Sequence, residues 1–523
     1  MNLPYIRAAS KTSGMLTAFG GLNTLPSAGE GEFSQMTNLS ARAYPFLQTR
    51  APRNLERALQ SPGGATGAGD DLIWADGTIL YKNGVQIATV AAGEKQFARM
   101  GALLLVWPDK ISVNLESGEV RALEHTYAAS GSVSVSQSNL AGEASDTATF
   151  LKIAASGIGS GFSAWDGVEI AGLSNEALNG SYVLYAVEED FLIVPGVLEE
   201  PLSQTGSLTV ARTCPDMDFL AVHQNRLWGC SSENHEIYAS KLGDPANFHV
   251  YAGIASDSYA ATVGTAGDFT GAAAVNDTVV FFQEGGVTKV LGTKPANYQI
   301  TFTPTSGVMR GSEKSLCLVD GTLFYLSPSG VCAYDGALAE KVSYKLDGWR
   351  LKNGVAGAAD GRYLLSCQDE DGGAHLLVYD VASGLWHRED GLRAHSFANA
   401  GNVLYIFTAD ALYQANSGTE IFEWECVTGR MPLHPPGHKY VSRLVAQVEL
   451  ARGAHIEIAV RYEDSGPWRT VTVSRGARVV VANLPQTRAA FMRVRLRGRG
   501  GCTLESLARG VQSGTELLPW RRS

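Results

Sequence analysis

Asp320 to Tyr325 reads DGTLFY, and the phrase returns as DGTILY from Asp76 to Tyr81 and as DGRYLL from Asp360 to Leu365. Each copy is a tight-turn pair followed by a short β-favouring run, which predicts a hairpin feeding a strand. Looser versions are NDTVVFF from Asn276, GNVLYIF from Gly401, QNRLWGC from Gln224 and MGALLLVW from Met100. With the second turn residue as landmark, the positions are 77, 101, 225, 277, 321, 361 and 402, and the later spacings are 52, 44, 40 and 41. A period of about 40 to 45 residues built from four short strands is the arithmetic of a propeller blade.

The gap of 124 residues between 101 and 225 breaks this period, but it holds a compositionally distinct stretch from His125 to Arg212. Removing those 88 residues leaves 36, close to one blade, so 125–212 reads as an inserted β-rich module. The gap of 24 between 77 and 101 is short for a blade, which sets the expected count at six or seven irregular blades. Helical periodicity is nearly absent, and the predicted class is all-β.

The texture changes on either side. Residues 1–68 are rich in Gly, Pro and polar side chains and predict an extended N-terminal arm laid over another surface. The propeller is placed at 69–423, interrupted by 125–212. From residue 424 to 523 the strands lengthen and alternate cleanly, as in HIEIAVRYED and AFMRVRLRGRGG, which predicts a β-sandwich. In the second of these, Arg493, Arg495 and Arg497 share one face and Met492, Val494 and Leu496 the other. The arginine face must meet water or an acidic partner, and these three residues are the interaction site the sequence offers.

Charge divides along the same boundary. From Trp424 onward there are 16 Lys+Arg against 7 Asp+Glu, and the remaining 423 residues hold 26 against 45. An acidic body with a basic C-terminal module argues against a general nucleic-acid binder, which presents a basic face. At 523 residues, 45% apolar and 18% charged, the chain has the composition of a folded globular protein. Its seven cysteines are scattered without a CxxC pair and read as reduced core residues, consistent with synthesis in a cytosol. No run approaches the roughly 20 apolar residues of a membrane span.

The chain's candidate chemical motifs are each incomplete. His223, Cys230 and His235 lack the paired spacing and the second ligand pair of a zinc site. Asp369-Glu370-Asp371-Gly372-Gly373 lacks the later bidentate acid of a calcium loop and reads as a hairpin turn. Gly157 to Gly161, GIGSG, has no following phosphate-binding lysine or helix. YEDSGPW at Tyr462 to Trp468 is near the aspartate-box turn of sialidases, but its Trp is one residue early, Tyr replaces Ser/Thr, and it occurs once. No HExxH, GxSxG or Walker pattern is present. The sequence reading is therefore no enzyme, no catalytic residue, no cofactor and no metal.

Several phrases together resemble one family. They are FGGLN with GEFSQMTNLSARAYPFLQTR, CPDMDFLAVHQNRLWGC, EIYASKLGDPANF, SDSYAATVG, GVMRGSEKSLCLVDGTLFYLSPSGVCAYDG and KYVSRL with RYEDSGPW. The chain resembles podophage tail-nozzle proteins, also called tail tubular or DNA-stabilisation proteins, of the kind found in prophages of Gram-positive gut bacteria. The resemblance implies a structural virion protein of the tail, made in the host cytoplasm and assembled as a sixfold ring. Its implied partners are a portal or adaptor ring and a tail tip or fibres, with genomic DNA retained and then passed through the lumen without sequence-specific binding. Within NRLWGCSSENHEIYASKLGDPANF, Arg226 to Cys230 and Glu236 to Ser240 are expected as two strands of one blade, with Phe248 packing onto the next. The alternative is a tail-tip receptor-binding protein that grips host cell-wall glycan, for which Trp165 and Tyr182 of the insert are the aromatic candidates.

Overall fold

The turn pairs are where the chain reverses. In a computed structural model that describes residues 11–144, 149–432, 439–485 and 487–513, Gln224 and Asn225 have φ of 47° and 55°, Asp320 and Gly321 48° and 83°, and Asp360 and Gly361 51° and 68°. Two successive positive φ values are what a two-residue type I′ hairpin demands, and Asn, Asp and Gly reach them at least cost. Each of these pairs joins the first and second strands of a four-stranded antiparallel sheet.

The described residues contain seven such blade sheets, and the fold is an all-β propeller with an inserted β module and a β-sandwich. The landmark at 77 belongs to a different hairpin from the rest. It joins the second and third strands of the first blade, Asp71–Asp76 and Ile79–Lys82, whereas 101 joins the first and second strands of the next blade, Gln96–Met100 and Leu103–Trp107. Both blades are complete, and the short gap between the landmarks reflects this offset.

The chain divides into two compact units. One contains Gln60–Glu313 and Tyr334–Ala339. It carries four blades, running from Pro62 to Thr89, Gln96 to Ala122, Phe219 to Thr262 and Gly271 to Pro304, with the first strands of neighbouring blades packed side by side. Between its second and third blades stands the insert. Two sheets spanning His125 to Arg212 enclose a separate core that includes Val133, Val135, Leu151, Ile153, Val168, Ile170, Leu192 and Val210.

The other unit contains Met1–Leu59, Lys314–Ala333 and Glu340–Ser523. Its inner strands crowd closely: a Cβ on Gly357 of the sixth blade would lie 2.5 Å from Phe397 Cβ of the seventh, so only glycine fits. The seventh blade takes three strands, Ser396–Ala400, Val403–Phe407 and Ala411–Gln414, from late in the chain. Its fourth is Asn54–Ala58, with Ala411 opposite Ala58 and Gln414 opposite Asn54.

The N-terminal segment, expected as an extended arm, is a set of strands. Lys11–Leu16 and Leu47–Thr49 pair with Cys502–Ser513 in one sandwich sheet, and Phe33–Thr37 pairs with Glu423–Thr428 in the other. Phe33, Met36, Leu39 and Leu47 share the core with Trp424, Cys426, Leu444, Ile456, Val494 and Leu504, each at most 4% exposed. The sandwich is built from both ends of the sequence.

Charge fixes the same segment. Arg50, its side chain 3% exposed, makes two 3.1 Å hydrogen bonds to the Glu420 carboxylate, donates to Asn38 Oδ1 at 2.7 Å and lies 4.0 Å from the Phe422 ring centre. Arg53 donates to Glu389 at 2.6 Å and Asp390 at 2.7 Å. Burial raises the Asp390 carboxyl, but the Arg53 charge and hydrogen bond, the Leu392 amide and Arg50 outweigh it and hold the group below its usual range. A depressed carboxyl stabilises the fold above its unfolded pKa of about 3.9 and loses that contribution as pH falls through the folded value. Arg53→Ala is expected to cost about 2 kcal/mol in urea denaturation at neutral pH, because it strands two partly buried carboxylates. The difference from wild type should shrink below about pH 4 as Asp390 is protonated.

Candidate functional site

Phe491–Arg499 is a central strand of the second sandwich sheet, between Glu423–Thr428 and His455–Tyr462. Met492, Val494 and Leu496 point into the core and are at most 1% exposed. The three arginines lie on the outer face, where they already have partners. Arg497 stands opposite Glu425 and Glu457 and lies 2.8 Å from the Glu457 carboxylate. Arg493 is 3.3 Å from Asp464 and donates to Ser34 Oγ at 3.3 Å. The Arg495 guanidinium is 4.9 Å from the Trp468 ring centre, as is that of Arg461. Trp468 comes from the YEDSGPW turn, so that phrase serves the same face. A depression of about 570 Å³ borders Arg497 and Arg499, with Glu423, Glu425, His455 and Glu457 on its walls. This surface mixes both signs of charge.

The motif NRLWGCSSENHEIYASKLGDPANF resolves into the third blade. Arg226–Ser231 pairs with Glu236–Ala239, with Trp228 opposite Ala239 and Cys230 opposite Ile237. Trp228, Cys230 and Ile237 pack with Val279 and Phe281 of the following blade. Phe248 packs with Ala98, Met100, Leu105 and Trp107 of the preceding blade, not the next one as expected. Alternation explains the split, since Leu227 and Tyr238 face the same side as Phe248. Arg226, 1% exposed, is the organiser: it donates to Ser240 O at 2.7 Å, Ala255 O at 2.7 Å and Asp257 O, tying the 240–257 loop to the blade.

That loop carries the dock for the insert. Asn247, 1% exposed, donates to Asp166 Oδ1 at 2.9 Å and to Asp244, while its own Oδ1 accepts from Gly167 N at 2.9 Å. Asp166 also accepts from Arg212 at 2.6 Å and from Ser163 N at 2.9 Å. A Cβ on Gly167 would lie 2.5 Å from the His249 carbonyl, so the insert meets the loop backbone to backbone. Above this network opens a cleft of about 410 Å³, shared by the second blade, the insert and the third-blade loop. Sequence reasoning passed over Asp166, Arg212 and Asn247 because they lie far apart in the chain. The GDPAN turn was their only signal.

The remaining candidates are separate. Among the described residues, no group of three His, Cys, Asp or Glu side chains lies close enough to hold a metal ion. Cys230 is buried in the blade core, and His235 sits in a turn with φ of 51°. Asp369 accepts from Gly373 N at 2.7 Å and pairs with His375 Nε2 at 2.8 Å, closing the hairpin between Arg362–Gln368 and Ala374–Asp380. Tyr182 packs against the insert core, whereas Trp165 is 44% exposed. All seven cysteines are free, and no described helix is long and apolar enough to cross a membrane.

No family model matches the chain, and no curated protein matches it. Solved structures similar to it include an exo-β-1,3-galactanase from Phanerochaete chrysosporium, at 10% identity over 54% of this chain and 92% of that one, with a TM-score of 0.21. Dihydro-heme d1 dehydrogenase NirN matches at 12% identity over 82% and 74%, with a TM-score of 0.28. The phage phi92 endosialidase matches at 10% identity over 77% and 61%, with a TM-score of 0.18. No substrate or residue role passes from these proteins to this chain. One expectation is corrected: the reading of this chain as no enzyme is overturned by a galactanase and an endosialidase among the similar structures. Its ground was the lack of a local catalytic motif, and carboxylates on separate strands can meet in space without one.

The outer-face pairs set an expectation for the arginine strand. Replacing Arg493, Arg495 and Arg497 together with Gln should leave the chain folded but less stable in urea by up to about 2 kcal/mol, since two partly exposed ion pairs are lost at up to about 1 kcal/mol each. An unchanged midpoint would show that these contacts contribute nothing.

Proposed function

We propose that the chain is a structural component of a bacteriophage tail, a nozzle- or hub-like ring subunit around the DNA channel. The observation that carries this reading is where the tail-nozzle phrases fall in the fold. HQNRLW, EIYAS and GDPANF are the strands and loop gathered by Arg226, and GEFSQMTNLSARAYPFLQTR is the segment woven into the sandwich and leading to the seventh blade. The resembling residues are therefore those that organise the structure, as expected of shared architecture.

Charge supports the same reading. Outside the last hundred residues acids outnumber bases by 45 to 26, and such a surface does not gain the counterion release that drives binding to a phosphate backbone. DNA passing an acidic lumen slides. The basic C-terminal module suits contact with an acidic neighbour, whether a second copy in a sixfold ring or a portal or adaptor ring. Phage particles assembled without this chain are expected to lose packaged genome, read as nuclease-protected DNA per particle. Full retention in particles shown to lack the chain would contradict the proposal.

A further inference from the structure

We infer that the edge of the β-sandwich in one copy of this chain docks on the insert of a second copy. From Pro467 to Ala490 the chain carries four arginines, Arg469, Arg475, Arg478 and Arg488, and no Asp or Glu. Between Lys152 and Arg212 it carries eight Asp and Glu and no Lys or Arg. Surfaces of opposite sign on the same polypeptide attract between copies, while either surface repels its own kind. The pairing is therefore head to tail, with the basic surface of one copy on the acidic surface of the next.

Each side also presents apolar surface. Val479–Asn483 is the last strand of its sandwich sheet, paired on one side only, with Lys439–Leu450. Val479 and Val481 alternate outward on it and are 54% and 40% exposed, and the half-buried Val445 stands opposite Val481. Exposed arginines flank this strip, Arg443 at one end, opposite Asn483, and Arg475 and Arg478 at the other. Glu449 and Glu505 sit on the inner strands of the sheet, and Gln447 donates to Glu505. A sheet edge that combines exposed valines with unpaired backbone groups is one that a partner covers. On the insert, Val197 is 70% exposed, more than any other large apolar side chain among the described residues. Gln137 brackets it, donating to Gly196 O at 3.3 Å and accepting from Leu198 N at 2.7 Å. Exposed Glu199 and Glu200 follow at once. A held apolar tip beside carboxylates fits a valine strip beside guanidinium groups.

Closure of this contact into a ring rests on the tail reading, whereas the contact itself rests on the two surfaces, so either can fail alone. Sedimentation of the full-length protein at low salt is compared with that of two charge-reversed variants, Arg475→Glu with Arg478→Glu and Glu199→Arg with Glu200→Arg. All four positions are exposed, and thermal melting should be unchanged. Wild type is expected to associate as its concentration rises and to fall back to monomer at high salt. Each variant alone should associate about tenfold or more weakly, and an equimolar mixture of the two should recover association, because each reversed surface then meets the opposite charge. Val197→Ser, which keeps the charge, should weaken association about fivefold. A wild type that stays monomeric would assign these surfaces to some other partner and overturn the inference. So would association unchanged by either reversal, or no recovery on mixing.

Discussion

The seventh blade cannot be completed by its own stretch of chain. Three strands from Ser396 to Gln414 would leave the outer edge of Ala411–Gln414 with unpaired backbone groups, and Asn54–Ala58 fills it. Because open edges invite pairing with other chains, this closure matters beyond the single hydrogen-bond ladder. The same segment has already supplied strands to both sandwich sheets before it reaches the blade, and Arg50 and Arg53 anchor it between those commitments. Blade closure, sandwich core and arm are therefore one cooperative problem. Displacing the arm exposes Phe33, Met36, Leu39 and Leu47 together with the blade edge.

Part of this was legible in the chain. The turn pairs could be read because two consecutive positive φ values restrict the residues that serve, so Asp-Gly and Gln-Asn mark hairpins without tertiary information. The same signal misled at Gly77, since a turn pair names a hairpin but not which hairpin of the blade it is. Residues 1–68 read as an extended arm because their strands are short and lie among Gly, Pro and polar residues. Their stability comes from partners more than 350 residues away, and no local window contains that.

The sites divide in the same way. Alternation placed Arg493, Arg495 and Arg497 on one face of a strand, but Glu457, Asp464 and Trp468, which engage them, arrive from neighbouring segments that only the sheet brings together. Asp166, Arg212 and Asn247 meet through an insertion boundary and a loop, and each is an unremarkable polar residue in its own stretch. Motif absence likewise failed to exclude catalysis, since a blade fold assembles polar groups from distant loops.

Native-state hydrogen exchange of the full chain tests the central claim most directly. If the arm is integral, the amides of Phe33–Thr37 and Asn54–Ala58 should open together with their partners Glu423–Thr428 and Ala411–Gln414, with the same free energy and the same denaturant dependence. Arm amides that exchange rapidly while the partner strands stay protected would contradict it, and would return residues 11–58 to a loosely laid arm on a fold that closes without them.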